Sequence, residues 1–183
     1  MRTGLLVCLL LVLAVDAWAH RLDEYLQATR VSVATNRVDV SIDLTPGVAV
    51  ADQVMAAIDT DSDGRVTEDE RAAYTRRVLK DIRVRLDEQV LALNVAESSF
   101  PNLLEIKAGL GVIHIKATAT VGPLTVGRHV FSLTNAHLPS ISVYLVNALA
   151  PEDPAIQITK QTRDELQKDY RLEFGVSSST PPR

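Results

Sequence analysis

Asp59 to Glu70 read D-T-D-S-D-G-R-V-T-E-D-E, three carboxylates at alternate positions, a glycine, and a closing glutamate. That spacing gathers oxygens around one point. A hard dication such as Ca²⁺ takes six to eight of them at roughly 2.3–2.6 Å. Asp59, Asp61 and Asp63 fall at offsets 1, 3 and 5 of a twelve-residue loop. Arg65 at the seventh offset supplies its backbone carbonyl, Thr67 at the ninth a ligand acting directly or through a water, and Glu70 at the twelfth two carboxylate oxygens. Gly64 stands where the chain must bend sharply in the left-handed region that a Cβ resists. The competing reading is an acidic turn that binds nothing. Against it, the crowded carboxylates repel one another without a cation, and no Lys or Arg side chain occupies a ligand position.

These residues resemble the EF-hand calcium-binding family, over the loop and its flanks at about residues 48–81. The resemblance implies a helix, the loop and a second helix, with Ca²⁺ as the cofactor. The flanks read the same way. Val50, Val54 and Ile58 recur at four-residue spacing, the apolar stripe of a short first helix. Thr67 and Glu70 form an S/T-x-x-E capping box opening the second, with acidic residues in its first turn and Arg76, Arg77 and Lys80 near its end. Val66 at the eighth offset is the residue that EF-hands use to pair with a second loop. No second loop exists in this sequence. The hand must take support from the rest of the fold, from a protein partner or from a second copy of the chain.

Residues 1–19 read as a signal peptide: Arg2, an apolar run from Leu5 to Val15, and the small-x-small site Ala17-Trp18-Ala19. Cleavage there makes the product exported, periplasmic or secreted, and starts it at His20. The only cysteine, Cys8, and the only tryptophan, Trp18, leave with the leader, so no disulfide is expected in the processed chain. The roughly 160 residues that remain can bury one core. A net charge of −4 argues against nucleic acid as a partner, and no later segment is long and apolar enough for a membrane span. The last residues, 177–183, read as a disordered tail.

The start A-H-R-L-D-E-Y also resembles the exported portion of bacterial nickel/cobalt permeases. This resemblance implies a second reading, an extracytoplasmic domain that handles nickel, cobalt or copper. His20 would bring its imidazole and a new α-amine together, a nitrogen pair suited to such metals. Those permeases carry several membrane helices, and this chain shows none.

Positioning falls to strands. Val38, Val40, Ile42 and Leu44 alternate with Asp39, Ser41 and Asp43, and Ile82, Val84 and Leu86 with Arg83, Arg85 and Asp87. Tyr25 to Val33 is expected to form a hairpin with the first of these through A-T-N-R. Further strands are expected at Val90–Val95, Leu103–Lys107, Val112–Thr120, Arg128–Leu133, Ser140–Val146, Ile156–Thr162 and Tyr170–Val176. Together they predict a mainly β fold, a β-sandwich of immunoglobulin-like kind over residues 20–176 as one domain, with the hand inserted between two strands.

Other chemistry finds little in the sequence. A hairpin of the strands carrying His114 and His129 would leave the two on the order of 17 Å apart, too far for one metal. There is no G-x-S-x-G elbow, H-E-x-x-H, P-loop or dinucleotide fingerprint. An aromatic content of 4% without a processed-chain tryptophan speaks against a sugar cleft. No catalytic residue is assigned. Gln161, Arg163 and Asn147 are expected to be hydrogen-bonding residues at strand ends.

Overall fold

Among the described residues, all but one of the expected runs lie in ten strands of two sheets. The computed structural model describes residues 23–178. The expected signal peptide at 1–19, His20 and residues 179–183 of the expected tail lie outside them. β1, Tyr25–Val33, and β2, Arg37–Pro46, form the expected hairpin, with Val33 opposite Val38. Then come a single 3₁₀ turn at Val48–Val50, helix α1 at Ala51–Ile58 and helix α2 at Glu68–Lys80. β3, Ile82–Leu86, and β4, Gln89–Leu91, are joined by a tight turn at Asp87 and Glu88, both at positive φ (45° and 69°). That conformation matches the right-handed twist of the flanking strands.

The remaining elements are β5 at Asn94–Ser99, α3 at Leu103–Lys107, β6 at Ile113–Thr120, β7 at Gly127–Asn135, β8 at Ser142–Ala148, β9 at Ile156–Arg163 and β10 at Asp169–Val176. One sheet has the order β5-β6-β2-β1-β8, the other β4-β3-β7-β10-β9. All pairs are antiparallel except β1 with β8. The β-sandwich is therefore present, and the helix–loop–helix sits where the chain passes from β2 in one sheet to β3 in the other. No helix among the described residues is long and apolar enough to cross a membrane.

Alternation decides which residues meet in the middle. Val31, Val40, Ile42 and Leu44 face Val84, Leu86, Phe131, Leu133, Leu172 and Phe174 in one continuous apolar core. α1 adds Val54 and Ile58, α2 adds Tyr74 and Val78, and α3 adds Ile106. The lone helix pair thus takes its support from the sandwich. Val66, the residue with no second loop to pair with, packs against that core instead.

Three expectations are corrected. Leu103–Lys107 is a helix, not a strand, because Asn102 and Glu105 cap it reciprocally (Glu105 N–H to Asn102 Oδ1 2.9 Å, Asn102 N–H to Glu105 Oε2 3.1 Å). Gly109 at φ +68° ends it, its N–H bonding the Ile106 carbonyl while Leu110 N–H bonds that of Glu105. The run Val90–Val95 divides, β4 and β5 lying in different sheets. β6 and β7 do not form a hairpin, since Val121 to Val126 carry the chain across to the opposite sheet.

The strand-end polar residues have a shared task. β8 is an edge strand, and its open backbone groups are covered from β9. Arg163 Nε donates to the Val146 carbonyl (2.7 Å) and a terminal nitrogen to Asn147 Oδ1 (2.6 Å), while Gln161 Oε1 accepts from Ala148 N–H (3.4 Å). The guanidinium lies over the Tyr170 ring, 5.2 Å from its centroid. An edge so covered is a poor template for another chain.

Candidate metal centre

α1 ends at Ile58 because Asp59 leaves helical geometry while its N–H still bonds the Met55 carbonyl (2.8 Å). From there the loop folds on its own carboxylates. Asp59 accepts from the N–H groups of Asp63 (3.2 Å) and Gly64 (3.0 Å), Asp61 from Asp63 N–H (3.2 Å), and Asp63 from Arg65 N–H (2.8 Å). Two residues adopt positive φ, Ser62 at 61° and Gly64 at 80°. A Cβ on Gly64 would meet nothing within 4 Å, so its requirement for glycine is conformational alone.

The result is a convergence of charge. Asp59, Asp61 and Asp63 each present a carboxylate oxygen, and these atoms lie within 4.8 Å of one another. Asp59 is buried, the other two exposed. No Lys, Arg or His among the described residues forms an ion pair with any of the three. For Asp61 the Asp63 N–H bond favours the charged form, yet desolvation and the neighbouring Asp63, Asp59 and Glu70 outweigh it and raise the pKa. A divalent cation would relieve that crowding.

Glu70 stands apart from the trio. It is the third residue of α2, and both its oxygens are engaged: Oε1 accepts from Thr60 N–H and hydroxyl (2.7 and 3.2 Å), Oε2 from Thr67 N–H and hydroxyl (both 2.9 Å). With Glu70 N–H donating back to Thr67 Oγ1 (3.3 Å), this is the expected capping box. These bonds, chiefly from the Thr67 and Thr60 backbones, bring its carboxyl down to about 2. Of the expected side-chain ligands, then, the structure brings three aspartates together and holds Thr67 and Glu70 as a cap beside them. Arg65 is exposed, its N–H bonded to Asp63.

A second polar cluster has no counterpart in the sequence reading. Tyr25 of β1 and Tyr74 of α2 join hydroxyls at 2.7 Å; Tyr74 Oη lies 3.2 Å from His137 Nε2, and His137 Nδ1 lies 2.8 Å from Asp81 Oδ2 at the end of α2. The tyrosines and His137 are buried in the core or at its margin. The His137 carbonyl accepts from Gln27 Nε2 (2.8 Å) and Tyr144 Oη (2.9 Å), and its N–H donates to Asn135 Oδ1 (3.0 Å). A carboxylate only accepts, so Nδ1 carries a proton to Asp81 and Nε2 of the neutral ring accepts from Tyr74. Burial lowers the His137 pKa against the opposing pull of Asp81. Burial likewise raises Tyr74 to about 12 and Tyr25 well above its usual range.

The other described histidines do not approach each other. His114 is on an outer face against Asp43 (2.8 Å). His129 points inward, stacked on Phe174, with Nδ1 2.5 Å from Asp87 and Nε2 2.8 Å from the Thr125 carbonyl. Two acceptors require two ring protons. Desolvation works against charging this ring, but the Asp87 and Thr125 bonds prevail and raise its pKa. Compared with protein-family models, with characterised proteins and with solved structures, the chain gives no match.

Proposed function

We propose that this chain is an exported calcium-binding protein whose single EF-hand holds Ca²⁺ to stabilise the passage between the two sheets. The observation carrying this is the convergence of the Asp59, Asp61 and Asp63 oxygens within 4.8 Å at the end of a helix. A hard, oxygen-only donor set with a flexible loop suits calcium better than the softer transition metals. Glu70, the Arg65 carbonyl and Thr67 complete the set in this reading. The ion ties α1 to α2, and through their core residues ties the end of β2 to the start of β3. Its work is structural. Met55 is the only methionine beyond the leader, which gives little of the methionine-rich groove that calcium sensors expose.

Asp61 is exposed, so Asp61→Asn tests the reading with little disturbance of packing. Melting without metal is expected to stay equal or rise, because a repelling charge is gone. The rise produced by millimolar calcium is expected to shrink. If the variant gains as much from calcium as the parent, the three aspartates are not ligands.

A further inference from the structure

We propose that α2 couples cation binding at the loop to the buried Tyr25–Tyr74–His137–Asp81 chain, so that calcium affinity and the docking of the first strand rise and fall together. This inference rests on the calcium reading of the loop. Glu70, Tyr74 and Val78 follow one another at four-residue spacing, and all three are buried. One rigid face therefore runs from the loop to the hydrogen-bonded chain, and Asp81 closes the helix at its far end. At the loop end, the Glu70 side chain must turn from Thr60 and Thr67 toward the aspartates, with α2 held in place beneath it, before its oxygens can reach a shared ion. At the other end, Tyr74 fixes the same helix to Tyr25, the first residue of β1. Each anchor restricts freedom that the other would otherwise have to restrict, which makes their coupling favourable.

The chain of bonds has one complete arrangement. With His137 neutral, three protons serve three contacts: Tyr25 O–H to Tyr74, Tyr74 O–H to Nε2, and Nδ1–H to Asp81. Protonating Nε2 adds a fourth proton to the same three contacts. One hydroxyl is then left without an acceptor, since Tyr25 Oη has Tyr74 as its hydrogen-bond partner and is fully buried. The groups facing His137 are Tyr74, Arg77 and Asp81 from α2 and its end, and Tyr25 and Gln27 from β1. Ser142 and Tyr144 approach from β8, and Asn135 from the end of β7. Only Asp81 among them favours the charged ring; Arg77 and burial oppose it. Acid therefore opens the chain, and by reciprocity calcium should hold His137 neutral to lower pH.

The test measures the calcium dissociation constant of the purified protein and of Tyr74→Phe by calorimetry. It also follows the His137 ring through a pH titration by NMR, with and without 10 mM calcium. Tyr74→Phe is expected to bind calcium about fivefold more weakly or worse, and calcium to move the His137 midpoint of the parent protein down by about 0.7 pH unit or more. Because the midpoint is read in the unaltered protein, it stands even if the variant does not fold. Calcium heat with an unmoved midpoint overturns the coupling and leaves the loop reading intact. No calcium heat in the parent overturns both.

Discussion

Removing one oxygen atom at position 74 should cost more than removing one at position 25, although both tyrosines are fully packed and share the same hydrogen bond. Tyr25 ends the chain as a donor. Tyr25→Phe takes away one bond to Tyr74 but leaves Tyr74 donating to His137, a loss of about 0.5–1.5 kcal/mol. Tyr74 is in the middle. Tyr74→Phe strands the Tyr25 hydroxyl proton and the His137 Nε2 lone pair, both fully buried, at about 1–3 kcal/mol for each group and roughly 2–6 kcal/mol in sum. For a domain of this length that is a fall in melting temperature of roughly 4–24 °C. The double variant should cost less than the two singles added, because Tyr25→Phe then removes an orphaned group; the coupling expected is about 1.5–4.5 kcal/mol. Urea denaturation of the three variants, with unchanged dependence on denaturant, supplies the numbers. Equal single losses that simply add would refute the proton directions assigned to this chain, and with them the argument that acid opens it.

Three further outcomes follow from other parts of the molecule. His129 has a raised pKa in the folded protein, so its contribution is fully present below its ordinary value of 6.5 and is lost as pH rises through the folded value. His129→Gln should therefore lag the parent most in denaturation at pH 5.5 and least at pH 8.5. Gly64→Ala should cost about 1–2 kcal/mol in urea denaturation, from φ alone since its surroundings are open. Arg163→Ala uncovers the Val146 carbonyl on the β8 edge; it should lower stability by about 1–3 kcal/mol and produce concentration-dependent association in sedimentation.

Period-two alternation made the strands legible. Residues such as Val38 to Leu44 carry their inside and outside faces in the order of their side chains. The helix pair was equally legible, because Thr67 and Glu70 cap locally and the apolar stripe Val50, Val54 and Ile58, from the 3₁₀ turn into α1, lies within nine residues. What the sequence hides is which strand neighbours which. Among the described residues the chain crosses between sheets after β2, β4, β6, β7 and β8, and nothing in Val121 to Val126 distinguishes a crossing from a hairpin turn. α3 was misleading for a different reason. Five residues are too few for either periodicity to decide, although the Asn102-x-x-Glu105 signature was there to read. The buried chain had no local signal at all. Gln27 and His137 are 110 residues apart, Tyr25 and Tyr74 are 49 apart, and each alone reads as an ordinary core or loop residue.

Whether the loop holds calcium is decided by calorimetry on the parent protein and on Glu70→Gln, paired with melting curves. Heat with a dissociation constant of roughly 10⁻⁴–10⁻³ M is expected in the parent. Calcium at ten times that constant should add about 1.4 kcal/mol, or roughly 3–6 °C in melting temperature. Both effects should be largely lost in Glu70→Gln. A parent protein that gives no heat and melts identically with and without 10 mM calcium would contradict the calcium reading of the loop.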